Sequence, residues 1–176
     1  FDTLGITLFN RGQEVLREYG FARWVNVEPK FGGRYLAENP SYARQAVAHN
    51  LVTVDQQCQN QFDVERADAR SGTPHFFDAT QETLKGMSAF ANEHVDGCDM
   101  QRSVFLLSLD ELEAPLLIDL YRIDNQPDQA NTLHSYDYTH QYQGQIIRSN
   151  VEYHTHQELH PLGDSHGYQH LWNVAE

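Results

Sequence analysis

The chain has 176 residues, 40% hydrophobic and 11% aromatic, which suits one globular domain with a proper core and excludes a disordered segment. Its formal net charge of −13 argues against nucleic acid as a partner. Apolar runs such as 104–109 are far too short to cross a bilayer, so a membrane is not expected as a partner either. The charge is uneven: residues 1–50 carry six basic groups against five acids, the remainder six against twenty. An anionic ligand would be met by the first third.

Strand signals dominate the pattern. Residues 4–9 lead into an Asn10-Arg11-Gly12 turn from which 14–19 return, as a hairpin does. Residues 21–27 alternate, 29–41 read as loop, 41–45 as one helical turn, and 47–54 as a strand carrying His49. A polar loop is expected over 56–74. Strands follow at 76–77, 84–91, 102–109 and 116–123, the last two joined by an acidic turn before Pro115. After a polar turn at 125–131, strands at 133–142, 145–153 and 168–174 complete the series. Strands spaced at roughly 8–12 residues with polar turns predict an all-β antiparallel sandwich. No repeat, linker or sustained helical period interrupts it, so 1–176 reads as one domain. With no starting Met and no signal peptide, a chain opening on Phe1-Asp2 reads as an excerpt of a longer protein. Cys58 and Cys98 permit one disulfide without establishing it.

The chemistry-bearing residues concentrate in 25–55. Gly32 and Gly33 allow unusual backbone geometry and close approach. Arg34, Tyr35 and Asn39 together can recognise a carboxylate, because Arg offers a bidentate fork and the others neutral donors. His49 and Glu18 offer imidazole and carboxylate ligands of the kind zinc takes, although two ligands alone do not make a site. Ten histidines are present, seven of them after Asn131, and His154 and His156 would share a face on a strand. No Ser-His-Asp order, Walker loop or GxGxxG run supports acyl or phosphoryl transfer.

Several motifs fall in a recognisable order: Phe1-Asp2, Glu18-Tyr19-Gly20, Gly32-Gly33-x-Tyr35-Leu36-x-Glu38-Asn39 and Ala48-His49-Asn50, then Gly144-Gln145-Ile146-Ile147 and Gly167-Tyr168-Gln169-His170-Leu171-Trp172. In these motifs the chain resembles the β-sheet domain of heparinase II/III-like polysaccharide lyases, most of all the alginate and oligoalginate lyase branch. The resemblance implies a periplasmic or secreted enzyme that cleaves an anionic uronate polysaccharide or oligosaccharide by β-elimination. An N-terminal helical domain of the same protein, absent here, would supply an Asn, a His and a Tyr. Tyr35 matches the family's sheet-side tyrosine and becomes the catalytic candidate, with Arg34 and Asn39 as substrate-binding candidates. The resemblance also implies a structural zinc. Its ligands map onto Glu18, where relatives carry an Asp one methylene shorter, onto His49, and onto a His just before Phe1 that lies outside the chain. A carbohydrate-binding or purely structural sandwich without catalysis is the rival expectation.

Overall fold

Residues 1–20 and 36–176 are described by the computed structural model. In chain order the strands are β1 (Leu8–Asn10), β2 (Gln13–Leu16), β3 (Val52–Val54), β4 (Thr73–Asp78), β5 (Leu84–Val95), β6 (Cys98–Leu107), β7 (Leu116–Asn125), β8 (Tyr136–Tyr138), β9 (Thr155–Pro161) and β10 (Trp172–Ala175). One short α-helix, α1, spans Val64–Asp68. Every strand pairing among the described residues is antiparallel, and the all-β class expected from the sequence is what the structure has. The chain divides into two compact units, Phe1–Gln59 with His134–Glu176, and Asn60–Leu133.

The first unit is built from three two-stranded ribbons, β1–β2, β3–β8 and β9–β10. The β1–β2 ribbon turns through Arg11 and Gly12, both at positive φ (50° and 78°), the geometry that a two-residue hairpin loop needs to match strand twist. The core gathers around β3 and the segment before it: Val47, Ala48, Leu51 and Val54 have almost no exposed surface. Tyr168 closes this core from the far end of the chain. Its hydroxyl donates to Asp137 Oδ2 at 2.7 Å and meets the Thr53 hydroxyl, so a buried phenol has its partners. Burial pushes this phenol's pKa upward and keeps it a donor. Gly167 precedes it at φ 93°, and a Cβ there would lie 2.6 Å from Val47 Cγ1, so only glycine fits.

The second unit is a four-stranded meander, β4–β5–β6–β7. Its centre holds a buried Arg102–Asp119 pair between β6 and β7, with Nε donating to Oδ1 at 3.0 Å and the guanidinium lying over the Tyr121 ring. Gly86 on β5 lets the Phe105 ring lie flat against the backbone, for a Cβ there would come within 2.7 Å of it.

Several local expectations are corrected. The strand expected over 47–54 is reduced to Val52–Val54, because Ala46–Ala48 wind into a buried 3-10 turn. The polar loop expected over 56–74 contains α1, started by Asp63, whose carboxylate accepts from the Arg66 N–H at 2.9 Å, and the beginning of β4. No strand forms over 145–153, where Ile146, Ile147 and Val151 stay exposed and gain nothing from alternation. The helical turn expected at 41–45 is a π-helical turn at Asn39–Ala43 with Pro40 in its first turn. The strand expected at 21–27 lies outside the described residues.

Candidate metal centre

His49 sits at the end of the 3-10 turn in extended backbone (φ −111°, ψ 164°). Thr139 holds it there, its hydroxyl donating to the His49 carbonyl at 2.7 Å, and Gln141 Nε2 donates to the Val47 carbonyl at 3.0 Å. The neighbouring Asn50 does more. It has no exposed surface, its Nδ2 donates to the carbonyls of Ile6 and Arg17 at 2.9 Å each, and its Oδ1 accepts from the Gln141 N–H at 2.6 Å. One amide side chain thus ties three separate segments together, and the Arg17 carbonyl it grips belongs to the peptide linking Arg17 to Glu18.

Glu18 lies two residues past β2, in a stretch anchored by the Arg17 N–H donating to Gln141 O at 2.7 Å. Its Oε1 makes a close contact with His49 Nδ1. Asp2 arrives from the N-terminal segment. Gln59 clamps the adjacent Thr3 with two bonds, accepting from its N–H at 3.0 Å and donating to its carbonyl at 2.9 Å. The Gly5 N–H closes a turn on the Asp2 carbonyl at 2.8 Å, and a Cβ on Gly5 would meet that oxygen at 2.9 Å.

The outcome is that Asp2, Glu18 and His49 each offer a ligand atom, all within 4.8 Å of one another. His49 is buried, Glu18 is partly covered and Asp2 is exposed. Two carboxylates and one imidazole are the borderline-hard donors that zinc accepts. Ligand atoms around tetrahedral zinc stand ~3.4 Å apart, so small side-chain rotations would close this set on an ion. The donor set therefore fits zinc.

Of the site residues expected from sequence, Glu18 and His49 are brought together. Asn39 begins the π-helical turn and is fully enclosed, so contact between its side chain and a substrate would require that enclosure to open. Arg34 and Tyr35 lie outside the described residues. Asp2 is a ligand candidate that sequence reasoning misses, although it sits inside the opening Phe-Asp motif. An aromatic group flanks the centre: Tyr42 stacks edge-on against Tyr19 and against His170, both with ring centroids 5.7 Å away. Burial, and then Tyr19, push the Tyr42 phenol up to about 12, which favours its neutral form.

No family model matches the chain. It is 35% identical over 173 residues to an exo-oligoalginate lyase of Saccharophagus degradans, and 36% identical over 173 residues to an alginate lyase of Stenotrophomonas maltophilia. Each alignment takes in 98% of this chain, which spans only 23% and 22% of the two relatives' lengths. Along nearly its whole length the chain is therefore related to alginate and oligoalginate lyases, as its motifs suggest. Among the described residues no helix is long and apolar enough to cross a membrane.

Proposed function

We propose that this chain is the β-sheet portion of a periplasmic or secreted polysaccharide lyase of the heparinase II/III-like kind, which cleaves alginate or oligoalginate by β-elimination. The observation that carries the reading is the similarity, extending over 98% of the chain, to two proteins named for alginate lysis. In this reaction the uronate carboxylate is neutralised, which makes the C5 proton acidic. A base takes that proton, the C5–H electron pair becomes the C4=C5 double bond, and the C4–O bond breaks as an acid protonates the leaving glycosidic oxygen. Arg34 would pair with the carboxylate, Asn39 would serve as a neutral donor, and Tyr35 would transfer a proton. Arg34 is next to Tyr35 in sequence, and its charge would favour the phenolate. The remaining groups would come from a helical domain of the same protein. Incubating the full-length protein with alginate, heparin and hyaluronan, and following the absorbance of the new double bond, tests this. Unsaturated product should accumulate fastest from alginate or its oligomers. No product from any of the three would leave a carbohydrate-binding or structural module as the reading.

Asp2, Glu18 and His49 would hold a structural zinc ion, joined by the His that the family resemblance places before Phe1. Zinc in such a site contributes folding energy, here by pinning the Asp2 turn to the segment before β3. Elemental analysis of the full-length protein should find that Glu18→Gln lowers the zinc content by one equivalent per chain, with a lower melting temperature. An unchanged zinc content in the Glu18→Gln, His49→Ala double variant would show that zinc binds elsewhere.

A further inference from the structure

The late histidines are arranged in a way that neither the lyase reading nor the zinc cluster uses. The β9–β10 ribbon is regular at both ends, with Trp172 opposite Pro161, Asn173 opposite His160, and Ala175 opposite Thr155. Between those anchors β10 runs only from Asn173 to Ala175, whereas β9 runs from His160 back to Thr155. The surplus is thrown out of β9 as a large irregular bulge, four residues against one. Residues four apart on a regular strand are ~13 Å from each other. Here the bulge folds the chain so that the rings of His156 and His160 lie 6.3 Å apart, centroid to centroid. The expected facing pair, His154 and His156, is thus replaced by His156 and His160.

Two further observations meet at the same place. Glu176 is locked opposite His154 by a reciprocal pair of backbone bonds of 2.7 and 2.9 Å, and its Oε2 stands 4.0 Å from His156 Nε2. That distance is too long for a hydrogen bond. His156 Nε2 itself has no exposed surface and no hydrogen-bond partner. A buried ring nitrogen left without a partner is costly, and a bound ion would relieve it.

We propose that His156, His160 and Glu176 form a second metal site, selective for a late first-row divalent cation of the zinc or copper class. Two imidazoles and a carboxylate suit those ions and not calcium or magnesium, which want an all-oxygen shell. The 4.0 Å gap between Nε2 and the carboxylate oxygen is close to the ~3.4 Å of two ligands around tetrahedral zinc. Rotation of the Glu176 side chain would close it. The bulge is then the device that converts a strand, which would hold its histidines apart, into a chelating loop.

The site is independent of the Asp2–Glu18–His49 cluster, so the two can be tested apart. The full-length protein is stripped of metal and titrated with Cu2+ by calorimetry, in the wild type, a His156→Gln, His160→Gln variant, and a Glu18→Gln, His49→Ala variant. The His156/His160 variant should lose one equivalent of Cu2+ while the Glu18/His49 variant retains that equivalent. The electron paramagnetic resonance signal of the retained ion should show coupling to two imidazole nitrogens. Circular dichroism checks that both variants stay folded, and Glu176→Gln, which leaves both rings in place, should weaken binding at least tenfold. Unchanged copper stoichiometry and affinity in the folded His156/His160 variant would overturn the proposal. So would a retained signal without two-nitrogen coupling.

Discussion

Replacing Tyr35 by Phe in the full-length protein should lower kcat by roughly 10²–10⁴-fold, the usual contribution of one positioned acid or base. Affinity for the substrate should change little, because the ring, and with it any packing or stacking on sugar, is retained. The expectation rests on the lyase reading and on the match between Tyr35 and the family's sheet-side tyrosine. A pH profile of kcat in the two proteins sharpens the test, since a transferring phenol leaves a limb in the wild type that the Tyr35→Phe variant lacks. Near-normal kcat in that variant would assign the proton transfer wholly to the helical domain.

The second large effect should come from Asn50, which touches no substrate. Asn50→Ala removes two donated bonds and one accepted bond at a position with no exposed surface, leaving the Ile6 and Arg17 carbonyls and the Gln141 N–H without that partner. Each unmet buried group costs about 1–3 kcal/mol, and water can reach part of this region, so a total of about 2–4 kcal/mol is expected. Against a net stability of about 5–15 kcal/mol that is a large fraction, and the urea midpoint should fall accordingly. The Arg17 carbonyl leads into Glu18, so the variant should also release zinc at lower chelator concentration than wild type. A midpoint and a zinc affinity both equal to wild type would show that Asn50 holds nothing in register. Asn50→Asp is the informative companion, because it keeps the acceptor for Gln141 but faces two carbonyls with a carboxylate.

How far the sequence leads depends on how local each feature is. β5, β6 and β7 are legible because apolar runs such as 104–107 are bounded by turn signals, and β6 and β7 pair in an uninterrupted register. The segment around His49 misleads for the opposite reason. Ala46, Val47, Ala48 and Leu51 are buried on every side, so apolar spacing there carries no period to distinguish a strand from a 3-10 turn. β9 escapes sequence reading because its polar surface hides alternation, and its bulge breaks the repeat that remains. The carboxylate–imidazole cluster joins residues far apart in sequence, Glu18 and His49 being 31 residues apart. Motif order alone links those two. Asp2 joins them through contacts such as the Gln59 clamp and the Gly5 turn, which hold the N-terminal segment beside them.

The two cysteines have a consequence for where such a chain can work. They are not joined in a disulfide, and both are buried, one in each unit. Cys58 accepts the Ala46 N–H, and burial lifts its thiol to about 11. At neutral pH only about one such thiol in 10⁴ is ionised, and the ionised form is the one that attacks disulfides and reacts with oxidants. Cys98 has no exposed surface and packs with its sulfur 3.9 Å from Asn125 Oδ1. Passage from a reducing compartment to an oxidising one should therefore leave the covalent structure of both units as it was.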